Sequence, residues 1–164
     1  MAARRALILA FAATALGACG FELQRPPALR FKTIQLAGFP ARSPLAAELK
    51  RSIDASTTTQ VVEALKDAEV VLQALTDERQ KSVVAVTAAN QVREFELRSR
   101  FRFSLRTAAG KELIPASEIL LKRDLTYIES AALAKEQEEA FLYRAMQSDI
   151  VSQVLRRLAS VQLL

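Results

Sequence analysis

The sequence predicts an α+β fold, a two-layer sandwich with two helices on one face of a largely antiparallel sheet of about four strands, in the order β-α-β-β-β-α. Three patterns carry that expectation. Between Val92 and Arg106, Phe95, Leu97, Phe101, Phe103 and Leu105 occupy odd positions, while Glu94, Glu96, Arg98, Arg100, Arg102 and Arg106 occupy even ones. Alternation of this kind belongs to a strand with one face in a core and the other in water. Leu142, Met146, Ile150, Val154 and Leu158 instead recur every four residues, the spacing of a helix with one apolar stripe. Ser43-Pro44 marks the start of a second helix, with a hydroxyl at the N-cap and proline at the first helical position, where its missing N–H costs nothing.

In chain order, Phe31 to Ala37 reads as the first strand, ending at Gly38-Phe39-Pro40. The helix from Pro44 buries Leu45, Leu49 and Ile53, and Ser56 to Thr59 closes it. Ala68 to Thr76 and Val83 to Thr87 are rich in Val and Leu and are separated by six polar residues. They form either two hairpin strands or, the reading we favour, one long strand bent in the middle. After the alternating strand, Thr107 to Lys111 makes a turn and Leu113 to Tyr127 returns, with Ile119, Leu121, Leu125 and Tyr127 on one face and Arg123 at its rim. The last helix starts near Ser130 as N-cap. Phe141, Ala145, Val151 and Leu155 widen its stripe, so Phe141 and Met146 are expected in the core. Arg156 and Arg157 complement the negative end of its dipole.

The open sheet face would carry Arg98, Arg100 and Arg102 about 7 Å apart, twice the rise per strand residue. Such a row suits a phosphate or carboxylate ligand. With residues 107 to 111 as the loop, Arg106 would face Glu112, Arg100 would face Glu118 and Glu96 would face Lys122, leaving Arg98 and Arg102 without an acidic neighbour on that strand. The row is thus either a ligand site or a partly self-paired, solvated face.

Composition narrows the chemistry. The 164 residues hold no His and one Cys, which removes the Ser-His-Asp triad, the Cys-His dyad and the usual zinc sets. No Gly-rich phosphate loop is present. Glu94 and Glu96 share a face and are formally a carboxylate pair, but charged neighbours explain them more simply. No catalytic residue and no metal site are therefore expected.

The N-terminus sets the compartment. Arg4 and Arg5 precede an apolar run from Ala6 to Ala18, a secretory signal too short for a bilayer core that needs about 20 residues of helix. Leu16-Gly17-Ala18-Cys19 resembles the lipobox of bacterial lipoproteins, which makes residues 1–18 a lipoprotein signal peptide and Cys19 the lipidated first residue. The alternative, an ordinary secreted protein, would leave one unpaired thiol in an oxidising compartment. Without residues 1–18, whose only charges are two arginines, 146 residues remain and the net charge falls from +5 to +3, too weak a bias to argue for nucleic acid. Residues 19–30, with Pro26-Pro27, read as a semi-rigid tether, and residues 31–164 as one domain.

Cys19-Gly20-Phe21-Glu22-Leu23, the element order, Ala132-Leu133-Ala134-Lys135 at the helix entry, Met146 and Leu155-Arg156-Arg157-Leu158 together resemble the LptE family over the whole mature chain. The resemblance implies a non-enzymatic lipoprotein of the Gram-negative outer membrane, on its periplasmic face. Such a protein plugs the β-barrel partner LptD, helps it assemble and binds lipopolysaccharide. It needs no cofactor beyond the covalent lipid on Cys19. Gly20 after the lipidated Cys fits outer-membrane sorting. Basic residues implicated in lipid A contact map to Lys135 and to the turn Ala88-Ala89-Asn90-Gln91, where Arg93 is the nearest cation. Arg98, Arg100 and Arg102 complete the candidate set. Gln24-Arg25 departs from the Arg-Gly common in relatives. An accessory lipoprotein of another envelope transport complex, with no lipopolysaccharide binding, is the alternative.

Overall fold

The structure, a computed structural model, describes residues 28–162 except residue 57. The lipobox, Cys19 and most of the expected tether lie outside the described residues. Five strands and two helices follow one another as β1 (Thr33–Ala37), α1 (Pro44–Asp54), β2 (Gln60–Val62), β3 (Val70–Val86), β4 (Val92–Thr107), β5 (Glu112–Thr126) and α2 (Ala132–Ala159). They form one sheet in the order β2-β1-β3-β4-β5. The expected class is present, with one strand more than expected. β2 is three residues long, too short to leave a period in the sequence, and it pairs parallel to β1. β1 also pairs parallel to β3, whereas β3, β4 and β5 form the antiparallel meander.

Ser43 caps α1 as the sequence predicts, its hydroxyl accepting from the Ala46 N–H at 3.1 Å. The α2 N-cap is Ala131 with no side-chain bond, and Ser130 sits one residue earlier in a short 3-10 turn. The core forms where α1 and the C-terminal half of α2 cover the sheet. Leu45, Leu49, Ile53, Ile150, Val154 and Leu158 meet Ile34, Val70, Leu72, Phe101, Phe103 and Leu105. Each such side chain contributes about 1.5–3 kcal/mol by leaving water. A second cluster, Leu97, Leu125 and Met146, extends the core toward the α2 N-terminus.

Phe141 is not in that core. It is 62% exposed, and Met146 is the first buried residue of α2. The four-residue spacing holds along the whole helix, but its first half lies over a part of the sheet that offers it polar partners. Tyr143 donates to the Gln80 carbonyl at 2.9 Å and Lys81 pairs with Glu139 at 2.6 Å.

Residues 70–86 are one strand, bent as favoured from sequence. A bulge leaves Leu75 opposite no residue of β4. Because strand side chains alternate, one extra residue inverts the faces beyond it. Val70, Leu72 and Ala74 face the helices before the bulge; after it Asp77, Arg79 and Lys81 do. Asp77 accepts from Ser43 at 2.7 Å and Arg79 donates to Gln147 of α2 at 2.5 Å.

The register of β5 departs from expectation. Arg106 pairs with Glu112 as predicted, but two irregularities in β5 slip the remainder by two residues. One lies beside Pro115, whose missing N–H is tolerated at a bulge on an edge strand. Arg102 therefore stands opposite Glu118, Arg100 opposite Leu120, Arg98 opposite Lys122 and Glu96 opposite Asp124.

Candidate functional site

The five candidate cations fall into two places. Arg98, Arg100 and Arg102 line the middle of the open face. Arg98 stands opposite Lys122, so it has no acidic neighbour on β5, as expected, and binds instead Glu96, two residues along its own strand. Lys122 also reaches Glu96, at 3.4 Å, and Arg100 reaches Glu118 diagonally at 2.9 Å, so two of the three expected cross-strand charge pairs form despite the slipped register. Arg106 and Glu112 stand opposite each other without an ion pair within 4 Å. The Arg98 guanidinium, with help from Lys122 and against some burial, holds the Glu96 carboxyl below its usual range. A carboxylate so committed is a poor general acid or base, which weakens the carboxylate-pair reading of Glu94 and Glu96. Arg102, expected to lack an acidic neighbour on β5, is brought opposite Glu118 by the slipped register, yet makes no ion pair within 4 Å among the described residues.

Arg93 and Lys135 belong to the other place, the end of the sheet where the β3–β4 turn and the β5-to-α2 junction meet. The turn is closed by Thr87 N–H to Gln91 O at 2.7 Å, with Asn90 at φ +59°, a left-handed conformation that Asn tolerates. Tyr127 N–H donates to Arg93 O at 2.8 Å and ties the junction to β4. Arg93 is exposed and stands between two clefts that share Thr87, Arg93 and Thr126. One, of about 430 Å³, is completed by Gln91, Tyr127, Ile128 and Glu129; the other, of about 490 Å³, by Ala85, Val86 and Glu94. Lys135, in the first turn of α2, is half-buried and pairs with Glu138 at 2.8 Å. It lines neither cleft.

Sequence reasoning missed the apolar component of this end. Val83, Val84, Val86, Ile128 and Leu133 are 50, 51, 53, 55 and 72% exposed. The signal was the uncharged run Val83 to Val86 in a strand otherwise turned polar, and Ile128 and Leu133 on either side of the junction. A cation set among exposed aliphatic side chains suits an amphipathic anion: the guanidinium takes the head and the aliphatic surface the chains.

Residues 31–158 match the protein family described as LptE, Lipopolysaccharide-assembly. The chain belongs to the LptE family.

Solved structures agree with that membership. Uncharacterized lipoprotein B from Nitrosomonas europaea is 34% identical, with a TM-score of 0.73 over 86% of this chain and 91% of that one. Rare lipoprotein B from Shewanella oneidensis is 26% identical, with a TM-score of 0.65 over 79% and 95%. A minor lipoprotein from Acinetobacter baumannii, 18% identical, shares the fold at a TM-score of 0.64 over 84% and 100%. No curated protein matches. The LptE-family chain is thus a lipopolysaccharide-assembly lipoprotein in class, and none of its described helices is long and apolar enough to cross a membrane.

Proposed function

We propose that this protein is a lipid-anchored subunit of the outer-membrane lipopolysaccharide translocon, acting as a non-enzymatic plug and assembly factor that binds the barrel protein LptD and lipopolysaccharide. Membership of a lipopolysaccharide-assembly family and likeness to lipoproteins support the class. The observation that carries the ligand is the tip, where Arg93 stands between two clefts that exposed Ile128 and Val86 also line, with exposed Val83 and Val84 farther along β3. Lipid A pairs phosphates with acyl chains, and the tip offers a matching cation and aliphatic surface. Lys135, on the neighbouring helix turn, is paired with Glu138 and lines neither cleft. It enters the site by family resemblance, and Arg93 is the cation the clefts themselves offer.

The open-face arginines are weaker candidates, because Arg98 and Arg100 already have carboxylate partners. Attachment through Cys19 would fix the domain at the periplasmic face. Three acyl chains at about 0.8 kcal/mol per buried CH₂ make such an anchor effectively permanent. Extraction of the lipidated protein in mild detergent tests the partner: a stable one-to-one complex with a large β-barrel protein is expected. Recovery of the protein alone, or with a different transport complex, contradicts the assignment.

A further inference from the structure

We infer that the free edge of β3 from Asp77 to Val83 is a strand-addition site for an extended segment of a partner protein carrying a carboxylate side chain. The inference goes beyond the lipopolysaccharide site at the tip and does not depend on it.

β1 covers β3 only as far as Gln73, so from Asp77 onward β4 is its one described neighbour in the sheet. The alternation of the ladder fixes which backbone groups are free. Tyr127 N–H to Arg93 O makes that pair hydrogen-bonded, so odd residues of β4 bond β5 and even ones bond β3. Thr76, Glu78, Gln80 and Ser82 stand opposite even residues of β4 and direct their backbone groups inward. Asp77, Arg79, Lys81 and Val83 therefore direct their N–H and C=O groups away from the sheet.

Edges are normally guarded by charge, proline or bulges. β5 on the opposite side has all three, with Lys122, Arg123, Pro115 and two irregularities. On β3 the guarding charge is withdrawn, because Lys81 is paired to Glu139 at 2.6 Å and lies 4.1 Å from the Phe95 ring centroid. Arg79 is likewise turned over the sheet, 5.4 Å from the Tyr143 ring and bonded to Gln147.

Beside this edge lies a groove of about 570 Å³ between β3 and α2, lined by Arg79, Lys81, Glu136, Glu139, Tyr143 and Arg144. Every second side chain of an added strand would enter it. Its walls carry three cations and two carboxylates. The Lys81–Glu139 pair is neutral, Arg79 bonds only the uncharged Gln147, and Arg144 has no ion pair within 4 Å among the described residues. The surplus of one positive charge selects an acidic side chain over a basic one.

The test uses the full-length lipidated protein in detergent micelles. The probe is a nine-residue threonine- and valine-rich synthetic peptide with one central glutamate, compared with its central-lysine counterpart by amide hydrogen exchange. The glutamate peptide is expected to slow exchange across residues 77–83 and to bind at least about fivefold more tightly than the lysine peptide. Arg144→Glu, at an exposed residue without an ion-pair partner, should remove or invert that preference. Unchanged exchange at millimolar peptide, equal binding of the two peptides, or protection that grows with protein concentration in the absence of peptide would overturn the proposal. The last result would make the occupant a second copy of this chain.

Discussion

Ser43 joins two layers of the fold: its hydroxyl donates to the Asp77 carboxylate at 2.7 Å while accepting from the Ala46 N–H at 3.1 Å. The same oxygen starts α1 and fixes that start to β3 two residues beyond the Leu75 bulge. Ser43 is buried, so its loss leaves both partners without a bond. Ser43→Ala should destabilise the domain by about 1–2 kcal/mol in chemical denaturation, with an unchanged m-value.

Gly38 and Gly110 separate backbone strain from steric clash. Both have positive φ, +77° and +93°. A Cβ on Gly38 would run into the Gln73 side-chain amide and the Ala74 carbonyl, whereas one on Gly110 meets nothing within 4 Å. Gly110→Ala should therefore cost about 1–2 kcal/mol from conformation alone. Gly38→Ala should cost clearly more, because the Ala74 oxygen belongs to a strand backbone. Thermal melts of the two variants side by side measure the difference.

Met146 and Phe141 lie five residues apart on one helix and differ in burial from 0 to 62% exposed. Met146→Ala empties the contact with Leu97 and Leu125 and should cost about 2–5 kcal/mol. Phe141→Ala should stay within about 0.5 kcal/mol of the unsubstituted protein. Equal losses in denaturant titrations would contradict the placement of the α2 N-terminal half outside the core.

Glu96 should shape the acid limb of stability. Its carboxyl is held below the ordinary value of 4.5, first by the Arg98 hydrogen bond. A carboxylate with a depressed folded-state value contributes stability that is present above its unfolded value and is lost as pH falls through the folded one. Melting temperature against pH should fall less steeply below about pH 4.5 in Glu96→Gln than in the unsubstituted protein.

The sequence disclosed the parts of this fold in which a period runs uninterrupted. Leu97, Phe101, Phe103 and Leu105 alternate cleanly because β4 carries no bulge across its core half, and Leu45, Leu49 and Ile53 keep helical spacing from cap to end. Insertions and length hid the rest. Leu75 inverts the faces of β3, so Asp77, Arg79 and Lys81 meet the helices although the pattern before them places odd residues outside. Pro115 lies where β5 slips, and the pairings counted from the turn were wrong beyond it. The neighbouring charges still found one another diagonally, because Arg and Lys reach across a two-residue offset. Phe141 kept its helical spacing where the sheet beneath offered polar partners. At the tip, Lys135 and Arg93 came from family resemblance, whereas the apolar rim around Arg93 required the strands to be placed.

The central claim is that the tip, not the middle of the open face, binds lipopolysaccharide. Its most direct measurement compares binding of purified lipopolysaccharide by soluble protein lacking Cys19, with Arg93→Glu/Lys135→Glu at the tip and Arg98→Glu/Arg102→Glu on the open face. Circular dichroism confirms that both variants fold. The tip variant should lose about tenfold or more in affinity, the effect of exchanging a charge-assisted bond for repulsion, and the open-face variant should bind within about threefold of the unsubstituted protein. Full binding by the tip variant, or loss confined to the open-face variant, contradicts the claim.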